Sequence, residues 1–395
     1  MTDRDWRIVN PGGSRRVVVT KELPGKRWLQ LLVAADCRVE IAQGDDILAA
    51  SEITAAFAGH VDAAIGQFTE SWSAETLGAL SAAGASLYSQ YAVGYDNVDV
   101  AAATRLGLPV GNTPGVLTET TAEMAVALTF AAARRIAEGD RMMRAGAYHG
   151  WLPGMLLGTL LYRGTLGIVG AGRIGAAYAR MMVEGHKMDL VYYDVRPAEE
   201  LERSIADYAD FLASRGERPV TCRRAKTLPE LLRACDVVSV HAALNAETHH
   251  LIGTRELAAM KEGAVLVNAS RGPLVDEAAL VEHCREHPRF RAGLDVYENE
   301  PAVAPGLAAL DTIVLVPHLG SASAWTREGM ATLAAANVAA ILEGWPVWGA
   351  ARGLADVLPF LEDEEPPHAA PSIVNADALG LPFYAGQAPT KEDQQ

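Results

Sequence analysis

The stretch Thr165–Asp194 constrains this chain more than any other. Its first five residues, Thr-Leu-Gly-Ile-Val169, form an apolar run of strand length. Gly170-Ala171-Gly172-Arg173-Ile174-Gly175 follows at once, with helical spacing from Arg173 onward. A strand that turns directly into a helix through this pattern uses the first glycine for a tight turn. The second lets a diphosphate approach the backbone, and the third lets helix and strand pack closely. The N–H groups at the helix start then bind the phosphates. The next apolar run, from Leu190, ends in Asp194, about 20 residues past the glycines. An acidic side chain there accepts hydrogen bonds from an adenosine ribose and repels a 2′-phosphate. The glycines alone would fit any glycine-rich turn, but with Asp194 in place they predict dinucleotide binding. Arg196 is either a solvated loop charge or a partner for a 2′-phosphate, so the expected cofactor is NAD (NADH), with some NADP use.

Strand and helix patterns alternate on both sides of this unit. Arg16–Thr20, Asp62–Gly66, Ser86–Gln90 and Leu108–Gly111 read as short strands, with helical stretches at Ile47–Phe57 and Val100–Leu106. One long helix is expected from Thr120 to about Ala145. After Asp194 come a polar insertion, a helix at Leu228–Cys235, and strands at Val237–His241, Ala264–Asn268, Gly293–Val296 and Ile313–Val316. An amphipathic helix, Ala324–Leu342, would carry the chain back to the first block. The stretch beyond Gly344 is Pro-rich and acidic and reads as a surface tail, with Ala388–Gln395 disordered. The predicted class is α/β, with two Rossmann-like or flavodoxin-like parallel-sheet domains. Residues 1–114 and 322–395 form a discontinuous substrate domain, and residues 115–321 an NAD-binding Rossmann domain.

Composition excludes several function classes. A net charge of −15 without a basic stripe argues against nucleic acid and against anionic membrane surfaces. No apolar run reaches the roughly 20 residues that span a bilayer. Cys37, Cys222, Cys235 and Cys284 lack metal or disulfide spacing and read as reduced thiols. No metal site is expected. Neither the polar start, Met1–Arg16, nor the end, Lys391-Glu-Asp-Gln-Gln395, carries a targeting pattern, so a cytoplasmic location is expected.

Three strand ends carry polar groups of a kind that oxo-acid reduction needs. Asn268-Ala-Ser270-Arg271-Gly272 places a guanidinium, whose planar fork suits a carboxylate, where open α/β sheets bind ligands. Gly293-Leu-Asp295-Val-Tyr-Glu298-Asn-Glu300-Pro301 ends the next strand in carboxylates, and Val316-Pro-His318-Leu-Gly320 ends the last in histidine. Singly, each also reads as a structural ion pair, a solvated loop or an edge residue. Their succession along one sheet that binds a dinucleotide points to a site.

These segments, with Ala92-Val93-Gly94-Tyr-Asp-Asn97-Val-Asp99, Asn112-Thr-Pro114-Gly115-Val116 and Thr121-Ala-Glu123, resemble the D-isomer-specific 2-hydroxyacid dehydrogenase family from about Val17 to Leu381. Four segments look like its plant-type hydroxypyruvate reductase subgroup: the insertion Asp207–Thr221, Ala324–Leu333, Pro346-Val-Trp348 and Pro371–Pro382. The resemblance implies reduction of hydroxypyruvate to D-glycerate, with glyoxylate as a second substrate. It implies that Arg271 binds the substrate carboxylate, that His318 exchanges the proton and that Glu300 holds His318. Val93 and Gly94 would offer N–H groups to the substrate. Asp295 would meet the nicotinamide carboxamide. Thr121, His241, Ala242 and Ser270 would line the cofactor with Gly170, Gly172, Arg173, Ile174, Gly175 and Asp194. It also implies a homodimer with an arm around Arg144–Arg163, from which Trp151 closes the partner's pocket. Phosphoglycerate dehydrogenase is disfavoured because the stretch after the last helix is short for a regulatory domain. Formate dehydrogenase is disfavoured because its pattern has Gln where Glu300 stands. An NAD-sensing corepressor of the same fold keeps the Arg, Glu and His, and is the remaining alternative.

Overall fold

The computed structural model describes residues 5–349, 351 and 353–384 and divides into two compact units. One, the terminal unit, joins the chain up to Leu117 with that from Ala322 onward; the internal unit is Thr118–Ser321.

The terminal unit is built on β1 (Trp6–Val9), β2 (Arg15–Val19), β3 (Cys37–Ala42), β4 (Ala63–Gly66), β5 (Leu87–Gln90) and β6 (Val110–Gly111). Their order is β1-β3-β2-β4-β5-β6, parallel except for β1, which runs antiparallel to β3. β1 and β3 are additions to the expected set. β3 reads as charged in sequence because Glu40 sits within it, yet Glu40 is buried and paired with Arg16 at 2.7 Å and Arg38 at 2.9 Å. Two ion pairs offset the desolvation that would otherwise expel a carboxylate from a strand.

The helix Ala324–Leu342 belongs to this unit and differs from the amphipathic helix expected. Every residue from Gly329 to Ala340 is buried, so the helix has no wet face there. Its alanines allow close approach, and its one amide is satisfied: Asn337 donates to the Asn112 carbonyl and accepts from the Ser372 N–H. The C-terminal stretch is likewise no loose tail. Leu354–Glu362 is a helix that buries Val357 and Phe360, and Asn375 accepts the Val110 N–H at 2.8 Å beside β6. The expectation for Ala388–Gln395 lies outside the described residues.

The internal unit contains β7 (Thr165–Val169), β8 (Asp189–Tyr193), β9 (Cys222–Arg224), β10 (Val237–Val240), β11 (Val265–Asn268), β12 (Arg291–Leu294) and β13 (Ile313–Leu315), in the order β13-β12-β11-β10-β7-β8-β9, all parallel. Chain order runs outward in both directions from β7 and β10, so the switch point lies between them, where such sheets bind ligands. β10 and β11 are buried along their whole length, which explains their continuous Val and Leu content. The long helix expected from Thr120 is two, Thr118–Ala133 and Ile136–Arg144, separated by Arg135 at φ +55°. A left-handed residue ends a helix, and nothing in the Ala- and Arg-rich pattern signals it. No helix among the described residues is long and apolar enough to cross a membrane. All four cysteines are free thiols.

Candidate active site

The glycines after β7 divide their work as their spacing predicts. Gly170 has φ +93°, and a Cβ there would meet the Ala242 N at 2.7 Å. A Cβ on Gly175 would meet the Gly170 carbonyl oxygen at 2.1 Å, whereas one on Gly172 meets nothing within 4 Å. Gly170 and Gly175 are therefore packing glycines, and Gly172 borders open space. The helix Arg173–His186 begins there with no capping side chain and no acidic residue in its first turn. Its N-terminal N–H groups and dipole fit the diphosphate of a dinucleotide. Asp194, at the end of β8, accepts the Ala171 N–H at 2.8 Å and the Arg196 N–H at 3.0 Å, which fixes its carboxylate beside the cradle. The sequence reading missed Arg224, whose guanidinium donates to the carbonyls of Asp194 and Val195. It lies on β9, a three-residue strand too short to leave a pattern.

His241 follows β10 across the switch point. Its backbone and that of Ala242 pack on Gly170, but its ring turns inward, 5.3 Å from the Tyr178 ring and with Nε2 2.8 Å from Ser239 Oγ. Only the backbone of His241 therefore borders the glycine turn, whereas its ring was expected to line the cofactor. Nδ1 is buried without a hydrogen-bond partner among the described residues. Burial pushes the imidazole down from 6.5 to about 4. Between those values the unfolded chain binds a proton that the folded one refuses. Stability is therefore complete above about 6.5 and is lost as pH falls toward about 4, by on the order of 3 kcal/mol. His241→Gln should flatten this dependence in urea unfolding across that window; an unchanged slope would assign it to another group. Ser270 Oγ donates to the Ala242 carbonyl at 2.8 Å and ties this loop to the next strand end.

Arg271 follows β11 in a turn shaped by Asn268. That amide accepts the Ser270 N–H at 3.1 Å and donates to the Arg271 carbonyl at 2.8 Å. Beyond it Gly272 packs on the β12 loop so closely that a Cβ would lie 1.9 Å from the Tyr297 carbonyl carbon. Glu300, in that loop, accepts the Tyr297 N–H at 3.0 Å and pairs with His318 Nδ1 at 2.9 Å. Burial alone would raise the Glu300 pKa. The hydrogen bond to His318 and its charge, the Tyr297 N–H and the Arg271 charge outweigh burial and hold it below the usual carboxylate value.

Asp295, at the end of β12, is buried, and burial raises its pKa. It binds the His318 loop three times: its carboxylate accepts the N–H groups of Leu319 at 2.5 Å and Gly320 at 2.8 Å, and its carbonyl accepts the His318 N–H at 2.9 Å. These bonds hold His318 at φ +54°, uncommon for a non-glycine residue. Gly320 fits between Asp295 and Thr121, since a Cβ there would lie 3.0 Å from Asp295 Oδ2 and 3.4 Å from Thr121 Cγ2.

The internal unit thus gathers Arg271, Asp295, Glu300 and His318 at the carboxyl ends of β11, β12 and β13. Val93 and Gly94 belong to the terminal unit, after β5, where the Val93 carbonyl accepts from the Asn112 amide at 2.9 Å. Trp151 lies in the irregular segment after Arg144 and is 74% exposed.

Sheet order and glycine cradle together define a dinucleotide-binding domain. The chain belongs to the D-isomer specific 2-hydroxyacid dehydrogenase family, whose NAD-binding-domain model matches residues 126–320. It is 54% identical over 375 residues to a glycerate dehydrogenase of Cucumis sativus, covering 94% of this chain and 97% of that one. It is 53% identical over 377 residues to a peroxisomal glycerate dehydrogenase of Arabidopsis thaliana, with 95% and 97% covered. Among solved structures, it resembles an NADPH-dependent glyoxylate/hydroxypyruvate reductase of Sinorhizobium meliloti in complex with NADP and malonate. That match has 30% identity and a TM-score of 0.67, and covers 82% of this chain and 93% of that one.

Proposed function

We propose that the protein reduces hydroxypyruvate to D-glycerate with NADH, and glyoxylate to glycolate as a second activity. The observation that carries this reading is the Glu300–His318 pair at 2.9 Å, with Arg271 on the neighbouring strand end. The glycerate dehydrogenase relatives support the choice of substrate.

NADH, when bound, supplies the hydride. The cradle of Gly170, Gly172, Arg173, Ile174 and Gly175 would hold its diphosphate and Asp194 its ribose, with Thr121, Ala242 and Ser270 lining it and Asp295 meeting the nicotinamide carboxamide. Arg271 takes the substrate carboxylate through two parallel N–H bonds. His318 Nδ1 is committed to Glu300, so the proton leaves from Nε2 to the oxygen that becomes the hydroxyl. Glu300, held below the usual carboxylate value, orients the imidazole and leaves Nε2 to face the substrate.

Asp194 favours NADH. Arg196 and Arg224 beside it, and the NADP-bound relative, support some use of NADPH. Steady-state kinetics with hydroxypyruvate, glyoxylate and pyruvate against both cofactors tests the assignment. The expected order of kcat/KM is hydroxypyruvate, then glyoxylate, then pyruvate, with NADH preferred. Silence across the panel would sink the enzyme reading in favour of an NAD-sensing corepressor.

The same proposal includes a homodimer. Met143, Trp151, Leu152, Leu157 and Leu160 are exposed in or beside the segment Arg144–Arg163, more apolar surface than one stretch of a monomer ordinarily leaves in water. Trp151 would close the partner's substrate pocket from this arm. Sedimentation equilibrium should give twice the 42.0 kDa chain mass, and a monomer would rule the arm's role out. A cytoplasmic location is also proposed, although the Arabidopsis relative is peroxisomal; fractionation against a peroxisomal marker decides it.

A further inference from the structure

Glu277 opens the helix Glu277–Glu286 and is 3% exposed. A carboxylate is buried this far only when its oxygens are satisfied. Oε1 accepts the Glu298 N–H at 2.7 Å, and Oε2 accepts the Ala304 N–H at 3.0 Å. Those two donors stand on either side of Glu300. The bond is returned, because Glu298 Oε1 accepts the Glu277 N–H at 2.7 Å and so satisfies the first donor of the helix. The other Glu298 oxygen lies 3.1 Å from His250 Nε2, whose ring also faces Asp276 at 3.9 Å. Burial pushes the Glu277 carboxyl up, and the charges of Glu298 and Glu300 add to this, while the two N–H bonds oppose it.

We propose that Glu277 is a positioning residue for proton transfer: by holding both flanks of the turn Glu298–Ala304, it keeps Glu300 against His318. The helix that Glu277 starts is joined through Asp276 to the loop bearing Arg271, and Gly272 of that loop is packed on Tyr297. The clamp therefore sets the carboxylate-binding arm and the proton-donating arm in one register. A carboxylate suits this task because it accepts two backbone donors at once, each bond being charge-assisted. The inference rests on the proposed roles of Glu300 and His318.

E277A should lower kcat for 2-oxo acid reduction about tenfold while the Kd for NADH stays unchanged. In the same variant, the downfield NMR resonance of the His318 Nδ1 proton, which reports the bond to Glu300 without turnover, should broaden or move upfield. E277Q retains one acceptor and should fall between; it carries the test if E277A does not fold. A lowered melting temperature with kcat and the resonance both at wild-type values would make Glu277 a merely structural residue and overturn the proposal. An unmoved resonance would overturn it whatever the rate. If the wild-type protein reduces no 2-oxo acid, the proposed function fails, and the resonance alone decides the clamp.

Discussion

Alanine in place of His318 is expected to lower kcat for oxo-acid reduction by about a hundredfold or more, the range of general acid catalysis. The geometry makes a fallback donor scarce, because the neighbouring ionisable groups are Glu300, held ionised, and Asp295, whose oxygens already accept two N–H bonds. The loop should keep its shape, since its bonds to Asp295 come from the backbone of His318, Leu319 and Gly320. His318 sits at φ +54°, which alanine tolerates less well than asparagine, so His318→Asn is the control for backbone strain. Both variants should bind NADH normally. Turnover near the wild-type rate in either would remove His318 from the proton transfer.

Arg271→Ala should act differently, lowering kcat/KM for the oxo acid about a hundredfold, chiefly through KM, as loss of a charge-assisted bidentate contact does. The turn around it is held by the Asn268 amide and by Gly272, neither of which needs the guanidinium. NADH affinity, followed by fluorescence titration, should therefore stay nearly unchanged, and a large loss would place Arg271 in cofactor binding instead. Lysine should rescue only part of the loss, because a point charge lacks the planar fork.

Arg271, Glu300 and His318 were legible because each follows an apolar run of strand length, and successive strand ends of a parallel sheet open on one edge. The glycine cradle was legible because two of its three glycines are forced by contacts under 3 Å. Glu277 left no comparable signal, since it acts by receiving backbone N–H groups from a segment distant in sequence, and Asn268 left none because an amide that shapes a local turn reads like any polar strand end. His241 was placed on the cofactor by resemblance, whereas Tyr178 and Ser239 take its ring inward. In the fold, β3 was hidden by Glu40, which pairs with Arg38 two residues before it and with Arg16 on the neighbouring β2. The break at Arg135 is a backbone conformation and has no side-chain pattern. The helix Ala324–Leu342 was read as half-wet because its few polar residues imply a face, yet Thr332 and Asn337 find partners inside.

That buried helix bears on how the polypeptide emerges from the ribosome. The sheet it covers is made almost entirely from the first third of the chain, while the helix arrives only after the whole internal unit has been translated. At ordinary elongation rates of roughly 5–20 residues per second, β2, β4 and β5 wait on the order of ten seconds or more for the surface that will cover them. For that interval the nascent N-terminal segment presents, without their lid, strands that end up buried. A chaperone-binding window, closing when Ala324–Leu342 is released, is the expected biogenesis of a protein whose first unit is completed last.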